Sequence, residues 1–467
     1  MVKSWDIFDT LIARRCIDPK FVFTIVEEKS RFTNYQYYRI LAERQSNGTF
    51  ENIYQKFSLL TQCSLEISSE LMDLELQTEK EQLFLIPETC NQVQDGDILV
   101  SDMYLPAETL HKILTYLGFQ KKVKIFVSSG GKYNGWIWEE VRKQGFQVDL
   151  HTGDNRFSDV FQPRRYGIQT RHFGRTALLP AENYLQNNDQ IELMRAIRHV
   201  RLNNPYMTTS YKYKMWIEQA MINIPLLYFA SILLYDYIKE RNITTLLFAT
   251  RDGIHWHKMF GKMFPSYQIH YFHSSRNMFS NAFRDNNQHY SNYITRLIKD
   301  IDRTIYVDLH GTGTNVYKYF SNTFGNCPHV FIITVIKALQ ELSSQNKLFY
   351  VSQTYNDHLE MLNYDLIGTL QNFDNNGPVR DPVEYDLKPI RVYHNCVNTF
   401  LQNIPPSPKL KPGHALALCR YFIRASTQPL DGNGLVKPLL NHGLYIPIRH
   451  ELLFLAYRFY KLIGNTS

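Results

Sequence analysis

The chain has 467 residues and a mass of 55.1 kDa, which is too long for one compact core and predicts two or three domains. Its formal net charge of +7 is small for this length, and no dense lysine and arginine block occurs, so nucleic-acid binding is disfavoured. The six cysteines lack paired CxxC spacing, which argues against a zinc site or disulfide framework and fits a reducing compartment.

No apolar signal segment opens the chain, and its most apolar run, 221–235, contains Asn223 and Pro225. Since this run is shorter than the about 20 residues that cross a bilayer, we expect a buried helix and no membrane span. The expected location is the cytoplasm. No pattern in the sequence indicates the oligomeric state.

The predicted elements of the first 180 residues change type twice. A short apolar strand over 2–12 opens the chain, and helical periodicity with almost no glycine or proline over 21–90 predicts an all-helical insertion. Strands and helices then alternate: strand 98–101, helix 107–117, strand 124–128, helix 135–143 and strand 148–152. This alternation predicts an α/β domain with a doubly wound parallel sheet over residues 1–180.

A polar connection is expected at 180–205, and the alternation resumes after it. The predicted elements are helix 211–240, strand 244–249, helix 253–264, strand 268–273, helix 290–300, strand 304–309, helix 314–324 and strand 329–336. They predict a second α/β domain over 205–375. The remaining residues, 376–467, are expected to be mostly helical, with segments at 413–425 and 449–463.

Polar side chains end successive strands of the first predicted sheet. Asp6 and Asp9 follow the first strand, and Ser101 with Asp102 ends the next. Ligands collect at the carboxyl ends of parallel strands, where a carboxylate can attack an electrophile and form a covalent intermediate. Each of these residues, taken alone, is equally typical of a cap or a solvated turn.

Two further strand-end loops add a cation and a pair of acids. Lys132 follows the third strand in a Gly-Gly-Lys segment, and Asp154 and Asp159 lie five residues apart after the last strand. A pair of carboxylates supplies the hard oxygen ligands that Mg²⁺ prefers. Because these loops leave the same edge of a parallel sheet, we expect their side chains to converge.

In this order and spacing, residues 1–175 resemble the haloacid-dehalogenase superfamily of hydrolases in all four of its motifs. The resemblance implies Asp6 as the nucleophile, Ser101 as the phosphate-binding hydroxyl and Lys132 as the stabilising lysine. It also implies a Mg²⁺ cofactor with four ligands from this chain: Asp6, the backbone carbonyl of Phe8, Asp154 and Asp159. The helical insertion at 21–90 corresponds to the cap that closes over the substrate. Thr10 and Asp102 are expected to contact the substrate.

A narrower likeness is to large bacterial members with an FDIFDTL-type start, an SDMYLP segment and an HxGDNxxSD loop, whose relatives are linked to surface-polysaccharide gene clusters. One position departs from the phosphatases of the superfamily. Phe8 stands where they carry an acid–base aspartate, a group that typically contributes about 10²- to 10⁴-fold. Either Asp9 or a residue of the insertion supplies the proton, or the leaving group is good, or activity is weak. Phosphoryl transfer is favoured over dehalogenation because the acidic metal loop is retained.

Two strand-end loops stand out in the second half. One contains Arg251, and the other runs from Asp308 through a cluster of small residues, Gly311, Thr312, Gly313 and Thr314. Small residues before a helix allow backbone N–H groups to approach a phosphate. This half loosely resembles type I phosphoribosyltransferases, but it has one acid where they have an adjacent pair. A transferase, a phosphate- or nucleotide-binding domain and a purely structural domain all remain open.

These patterns predict a Mg²⁺-dependent phosphomonoesterase that acts on a small phosphorylated metabolite, either a sugar phosphate or a nucleotide. One alternative is a degenerate hydrolase core that serves as a binding or scaffold protein, which Phe8 favours. The other is a bifunctional hydrolase with a phosphoribosyltransferase-like second domain.

Overall fold

The computed structural model describes residues 2–427 except for positions 47, 285–286, 355–356 and 384–385. The chain divides into two compact units, Met1–Leu179 with Leu202–Pro205, and Pro180–Arg201 with the chain from Tyr206 onward. Each unit contains its own five-stranded sheet in which all the paired strands are parallel. The predicted α/β class with parallel sheets is therefore confirmed for both units.

The first unit consists of the following elements in chain order: β1 (Val2–Trp5), β2 (Ile12–Arg14), α1 (Lys20–Ser30), α2 (Tyr35–Gln45), α3 (Phe50–Thr61), α4 (Leu65–Gln82), β3 (Leu83–Leu85), α5 (Pro87–Cys90), β4 (Ile98–Asp102), α6 (Ala107–Tyr116), β5 (Lys124–Ser128), α7 (Gly131–Asn134), α8 (Ile137–Lys143), β6 (Val148–Gly153), a π-helical turn (Arg156–Phe161), α9 (Gln162–Arg165) and β7 (Gln169–His172).

The sheet of this unit has the order β5-β4-β1-β6-β7. The chain builds outward from β1 to β4 and β5, then returns to the other side of β1 to form β6 and β7. In the register, Trp5 pairs with Leu99 of β4 and with Thr152 of β6. The reversal places a topological switch point beside β1, which is where open parallel sheets bind ligands.

The predicted strand at 2–12 is wrong in its second half, because the chain turns after Trp5. The amides of Leu11 and Ile12 both donate to the carbonyl of Ile7, and Asp9 has a left-handed φ of 55°. The chain then forms β2, which pairs with β3 in an antiparallel ribbon. The turn places the residues after Asp6 at the carboxyl end of the parallel strands, outside the sheet itself.

Helices α1 to α4 occupy the chain between the two ribbon strands, and we call them the helical insertion. They form because apolar residues recur at helical spacing, as in Val22 and Val26 of α1, which are fully buried. Serine and threonine caps begin two of them: Thr49 accepts from the amide of Asn52, and Ser64 accepts from that of Ile67.

A buried ionic cluster ties the insertion to the loop that follows β4. Arg39 of α2 donates two hydrogen bonds to Glu75 of α4, at 2.6 and 2.8 Å, and both side chains are almost completely buried. Three tyrosine hydroxyls, those of Tyr35, Tyr54 and Tyr104, donate to the same carboxylate. Since Tyr104 lies two residues after β4, this cluster holds the insertion next to the strand end that carries Ser101.

The second unit consists of the following elements: α10 (Pro180–Asn187), α11 (Ile191–Leu202), α12 (Tyr211–Glu218), a π-helical turn (Gln219–Asn223), α13 (Ile224–Glu240), β8 (Thr245–Ala249), α14 (Ile254–Met263), β9 (Gln268–Phe272), α15 (Arg276–Arg284), α16 (Gln288–Leu297), β10 (Thr304–Gly311), α17 (Thr314–Phe324), β11 (His329–Val335), α18 (Gln340–Ser344), β12 (Leu348–Gln353), α19 (Asp357–Met361), β13 (Leu370–Asp374), β14 (Gly377–Arg380), α20 (Leu387–Gln402) and α21 (Pro412–Thr427).

Its sheet has the order β12-β11-β10-β8-β9, so the direction of winding reverses between β8 and β10. The expected connection at 180–205 is wrong, because α10 and most of that stretch are helical. Glu182 of α10 and Arg201 of α11 form a buried ion pair at 2.7 Å. The helical segment expected at 413–425 is confirmed by α21, and that at 449–463 lies outside the described residues.

One helical stretch, Tyr211–Glu240, is long and apolar enough to cross a membrane by length and composition. It contains the expected buried helix at 221–235, and its most apolar window is completely buried inside the fold. The π-helical turn lies directly before α13, and Pro225, which has no N–H to donate, is in the first turn of α13.

Candidate functional site

Asp6 is the centre of the predicted site and lies directly after β1, at the switch point of the first sheet. Its backbone amide donates to the carbonyl of Thr152 on the neighbouring β6 at 2.9 Å, which fixes the start of the turn. The hydroxyl of Thr10 donates to Asp6 Oδ2 at 3.1 Å. The carboxylate is only 4% exposed. Thr10, expected to contact substrate, therefore orients the carboxylate of Asp6.

The acidic loop after β6 brings two more carboxylates to the same place. Ligand oxygens of Asp6, Asp154 and Asp159 all lie within 4.8 Å of one another, and Asp6 and Asp159 are buried. The expected convergence of residues separated by about 150 positions is therefore present. An oxygen-only set of this kind has the chemistry to hold a hard divalent cation.

Lys132 supplies the positive charge at this edge. Its ammonium group donates to Oδ1 of Asp6 and forms an ion pair with Oδ1 of Asp159 at 2.7 Å, and the side chain is buried. The preceding Gly131 is packed so closely that a Cβ there would overlap the side chains of Ser128 and Trp136. The glycine thus allows the loop after β5 to deliver Lys132 between the two carboxylates.

Ser101 and Asp102 end β4 and differ in their surroundings. Within the part of the chain that the structure describes, the buried Ser101 hydroxyl has no hydrogen-bond partner, so it is free to donate to a ligand. Asp102 instead accepts from the amides of Lys132 and Tyr133, each at 2.7 Å, and from the hydroxyl of Ser128. Through these bonds Asp102 positions the loop that carries Lys132, and its contact with a substrate stays a prediction.

Phe8 and Asp9 lie in the turn after β1. The ring of Phe8 packs under the guanidinium of Arg14, with 4.4 Å from Cζ to the ring centroid, and Arg14 is itself paired with Glu79 of α4 at 2.7 Å. The Phe8 side chain is thus part of the contact between the turn and the insertion. Its backbone carbonyl stays a predicted metal ligand. The negative charge of Asp9 acts on Asp154, which places Asp9 near the acidic group.

Burial and mutual repulsion dominate the electrostatics of the three acids. Burial raises the pKa of Asp6 well above its usual value, and the ammonium of Lys132 offsets only part of that rise. Burial, together with the charges of Asp9 and Asp159, raises the pKa of Asp154 to about 7. Burial also opposes ionisation of Asp159, but Lys132 and a hydrogen bond from His151 outweigh it and hold its pKa well below the usual range. With all three acids ionised, the site would carry more negative charge than one lysine balances.

Three supporting residues were not predicted as part of the site. The fully buried His151 bridges the Ser4 hydroxyl at 2.8 Å and Oδ1 of Asp159 at 3.1 Å, and so orients that carboxylate. A Cβ at Gly153 would overlap the carboxylate of Asp159. The backbone amide of Asn155 donates to Asp159 Oδ2 at 2.8 Å. All three lie in the HTGDN segment, but their roles depend on contacts that residue type alone does not reveal.

The second unit also gathers charged residues at its switch point, where β8 and β10 pair in parallel. Burial raises the pKa of Asp308 to about 7, with a further contribution from the charge of Asp252. Burial raises the pKa of Asp252 to about 6, against the opposing charges of Arg251 and Arg276. Asp252 stands next to Arg251 in the first predicted loop, and the position of Arg276 after the strand predicted at 268–273 makes it a possible anion-binding arginine.

Arg251 and the small-residue loop have clear local roles. Arg251 has a positive φ of 74°, and its guanidinium Nη1 donates to the Thr369 hydroxyl at 2.9 Å. The hydroxyls of Thr312 and Thr314 share a hydrogen bond at 2.7 Å, and Gly313, with a φ of 73°, makes the turn that begins α17. Gly311 ends β10, three residues after Asp308. The predicted loop is thus present at the carboxyl end of β10.

Comparison with models of known protein families found no match for this chain, and no curated protein matches it.

Proposed function

We propose that the first unit is a Mg²⁺-dependent phosphomonoesterase of the haloacid-dehalogenase type that acts on a small phosphorylated metabolite. The observation that carries this proposal is the convergence of Asp6, Asp154 and Asp159 at the carboxyl end of a parallel sheet, with Lys132 bonded to two of them. These are the residues that the four motifs nominate. The helical insertion would serve as the cap over the substrate.

The charge balance supports a divalent cation. Ligand oxygens of three carboxylates lie within 4.8 Å of one another, while the ammonium group of Lys132 pairs with two of them, and isolated buried charge is costly. Asp6, Asp154 and Asp159 would hold Mg²⁺ as oxygen ligands, with the Phe8 carbonyl as a fourth. When bound, Mg²⁺ supplies charge neutralisation for the phosphate and the attacking carboxylate.

The chain's own residues account for the two chemical steps. The Asp6 carboxylate attacks phosphorus, the bond from phosphorus to the ester oxygen breaks, and the leaving alcohol takes a proton, which we assign to Asp9. A water molecule then attacks the aspartyl phosphate and returns its proton to Asp9, which releases phosphate and restores Asp6. The free hydroxyl of Ser101 and the ammonium of Lys132 bind the phosphate oxygens.

Phosphate release from a panel of sugar phosphates and nucleotides is expected to require Mg²⁺ and to stop with EDTA. Because Asp154 has a pKa of about 7 in the metal-free protein, protons compete with the metal below that pH. The Mg²⁺ concentration for half activation is therefore expected to rise by roughly tenfold per pH unit below 7 and to level off above it. Release that EDTA leaves unchanged would contradict the metal assignment, and background rates throughout would favour the binding-protein alternative.

For the second unit we propose a binding site for a phosphate-bearing ligand at the ends of β8 and β10. The observation that favours it is electrostatic: Asp252 and Arg276 both act on the pKa of Asp308, which precedes the loop that begins α17. Carboxylates can hold Mg²⁺, an arginine can bind phosphate oxygens, and the start of a helix favours a negatively charged group. This combination suits a diphosphate bound with its metal.

Calorimetry with inorganic pyrophosphate and Mg²⁺ tests the second-unit proposal. We expect binding by the wild-type chain, and a loss of affinity of about tenfold or more in Arg276→Gln, because a charge-assisted contact is removed. Arg296→Gln is the matched control, since Arg296 is an exposed arginine of the neighbouring helix α16. An equal affinity for all three proteins, or no binding by any, would refute a site at these residues.

A further inference from the structure

Four exposed aromatic side chains lie around the candidate catalytic site of the first unit. Tyr133, Trp136, Phe157 and Phe161 are between 41% and 58% exposed, and we call them the aromatic platform. The rings of Tyr133 and Phe157 are 4.8 Å apart between centroids, and those of Phe157 and Phe161 are 5.5 Å apart and nearly parallel. Single exposed aromatics are common, but the contact among the rings of Tyr133, Phe157 and Phe161 indicates a binding surface.

The residues of the platform lie in the same loops as the candidate catalytic groups. Tyr133 directly follows Lys132, so their Cα atoms are about 3.8 Å apart, and Phe157 lies between Asp154 and Asp159 in sequence. The indole of Trp136 packs against Gly131, the residue before Lys132. The two loops that bring Lys132 and Asp159 to Asp6 are therefore the loops that carry these rings.

The backbone under the platform is fixed before any ligand binds. The amide of Tyr133 donates to Asp102 at 2.7 Å, and the amide of Phe157 donates to the side chain of Asn155 at 2.9 Å. Asn155 thereby caps the π-helical turn that carries Phe157 and Phe161. Ring faces held in this way can stack on a planar ligand with a small loss of conformational entropy.

We propose that the platform stacks the base of a nucleoside monophosphate whose phosphate is bound at Asp6. This inference rests on the proposed phosphatase function and narrows its substrate class from sugar phosphates or nucleotides to nucleotides. Every nucleobase has a π-face that stacks on tyrosine or phenylalanine. The exposed Arg156, next to Phe157, adds a planar cation that binds bases and phosphates alike.

Two substitutions test the platform: Tyr133→Ala and Phe157→Ala. We expect each to lower the ratio of kcat/KM for AMP to kcat/KM for acetyl phosphate, which has no ring, by about tenfold, the effect of one lost base–aromatic stack. The phosphate contacts are common to both substrates, so the ratio isolates the ring. Tyr116→Ala is the control, because Tyr116 is 65% exposed on α6 of the same unit, and it should leave the ratio unchanged.

Calorimetric titration of AMP into the Asp6→Asn protein provides a readout without turnover. We expect the affinity for AMP to fall by about tenfold when Phe157→Ala is added to this protein, and to be unchanged when Phe157→Tyr is added instead. The platform would be overturned if neither alanine variant changes the ratio of AMP to acetyl phosphate, or if the protein does not bind AMP. It would also be overturned if the ratio of kcat/KM for glucose 6-phosphate to kcat/KM for acetyl phosphate falls as much as the ratio for AMP. Absence of wild-type turnover with every phosphate, while AMP binding still depends on Phe157, would overturn only the phosphatase.

Discussion

Replacement of Asp6 by asparagine is expected to lower phosphate release by about 10⁴-fold or more, the scale seen when a covalent hydrolase loses its nucleophile. An amide cannot form the acyl phosphate, although it keeps the volume of the side chain. Its one oxygen can still accept from Lys132, and its NH2 group can donate to the Thr10 hydroxyl. The fold should therefore be retained while the chemistry is lost. Initial rates with saturating Mg²⁺ and the best substrate of the panel measure the effect.

Asp149→Asn is the matched control for that substitution. Asp149 is an exposed carboxylate on β6, the strand that leads into the acidic loop, and its change should leave the rate within about twofold. Mass spectrometry of acid-quenched reactions adds a direct readout, since only a protein with Asp6 should gain the mass of a phosphoryl group. Full activity of Asp6→Asn would exclude Asp6 as the nucleophile.

The second large effect is expected on stability, in Arg39→Met. Arg39 is completely buried and pairs with Glu75, so its removal leaves a buried carboxylate with only tyrosine hydroxyls as donors. Breaking a buried ion pair from one side costs about 3–5 kcal/mol. Hydrogen exchange measured by mass spectrometry should show helices α2 and α4 opening more than a hundredfold more often, because 1.4 kcal/mol corresponds to a factor of ten.

Two further variants separate lost pairing from lost packing. Arg39→Met combined with Glu75→Met should recover most of the protection, because hydrophobic replacement of both partners removes the unpaired charge. Lys29→Met should have an effect below about 1 kcal/mol, since Lys29 and Glu81 form an ion pair that is about 40% exposed on each side. Unchanged exchange in Arg39→Met would show that the cluster does not hold the insertion in place.

Four strands of each sheet and the strand-end residues were predictable because their signals are local, whereas the outer strands β7 and β12, which are mostly not buried, were missed. Buried parallel strands are continuous apolar runs, so the segments that became β4, β5 and β6 could be placed to within a residue or two. The polar residues that interrupt each run mark its carboxyl end. This is why Asp6, Ser101, Lys132, Asp154 and Asp159 could be nominated from the sequence.

Helices α10 and α11 were missed because their signal is not local. Their buried faces include an ion pair, Glu182 with Arg201, so two charged residues occupy positions that a pattern of apolar spacing would leave out. The surrounding chain is also rich in asparagine, glutamine and charged residues, which is typical of a connection. A buried charge is tolerated only when its partner is present, and the partner is 19 residues away.

The sequence alone determined which residue types stand at the strand ends, and with them the α/β class and the choice of an oxygen-ligand site. The tertiary structure decided what each of those residues touches. Among the described residues, the Ser101 hydroxyl has no hydrogen-bond partner, whereas the Asp102 carboxylate accepts from the loop that carries Lys132. The structure also shows that His151 is hydrogen-bonded to Asp159. The physical reason is that strand periodicity is fixed by neighbouring residues, whereas hydrogen bonding and burial also depend on groups far away in the sequence, such as Lys132 and Asp6, which are 126 residues apart.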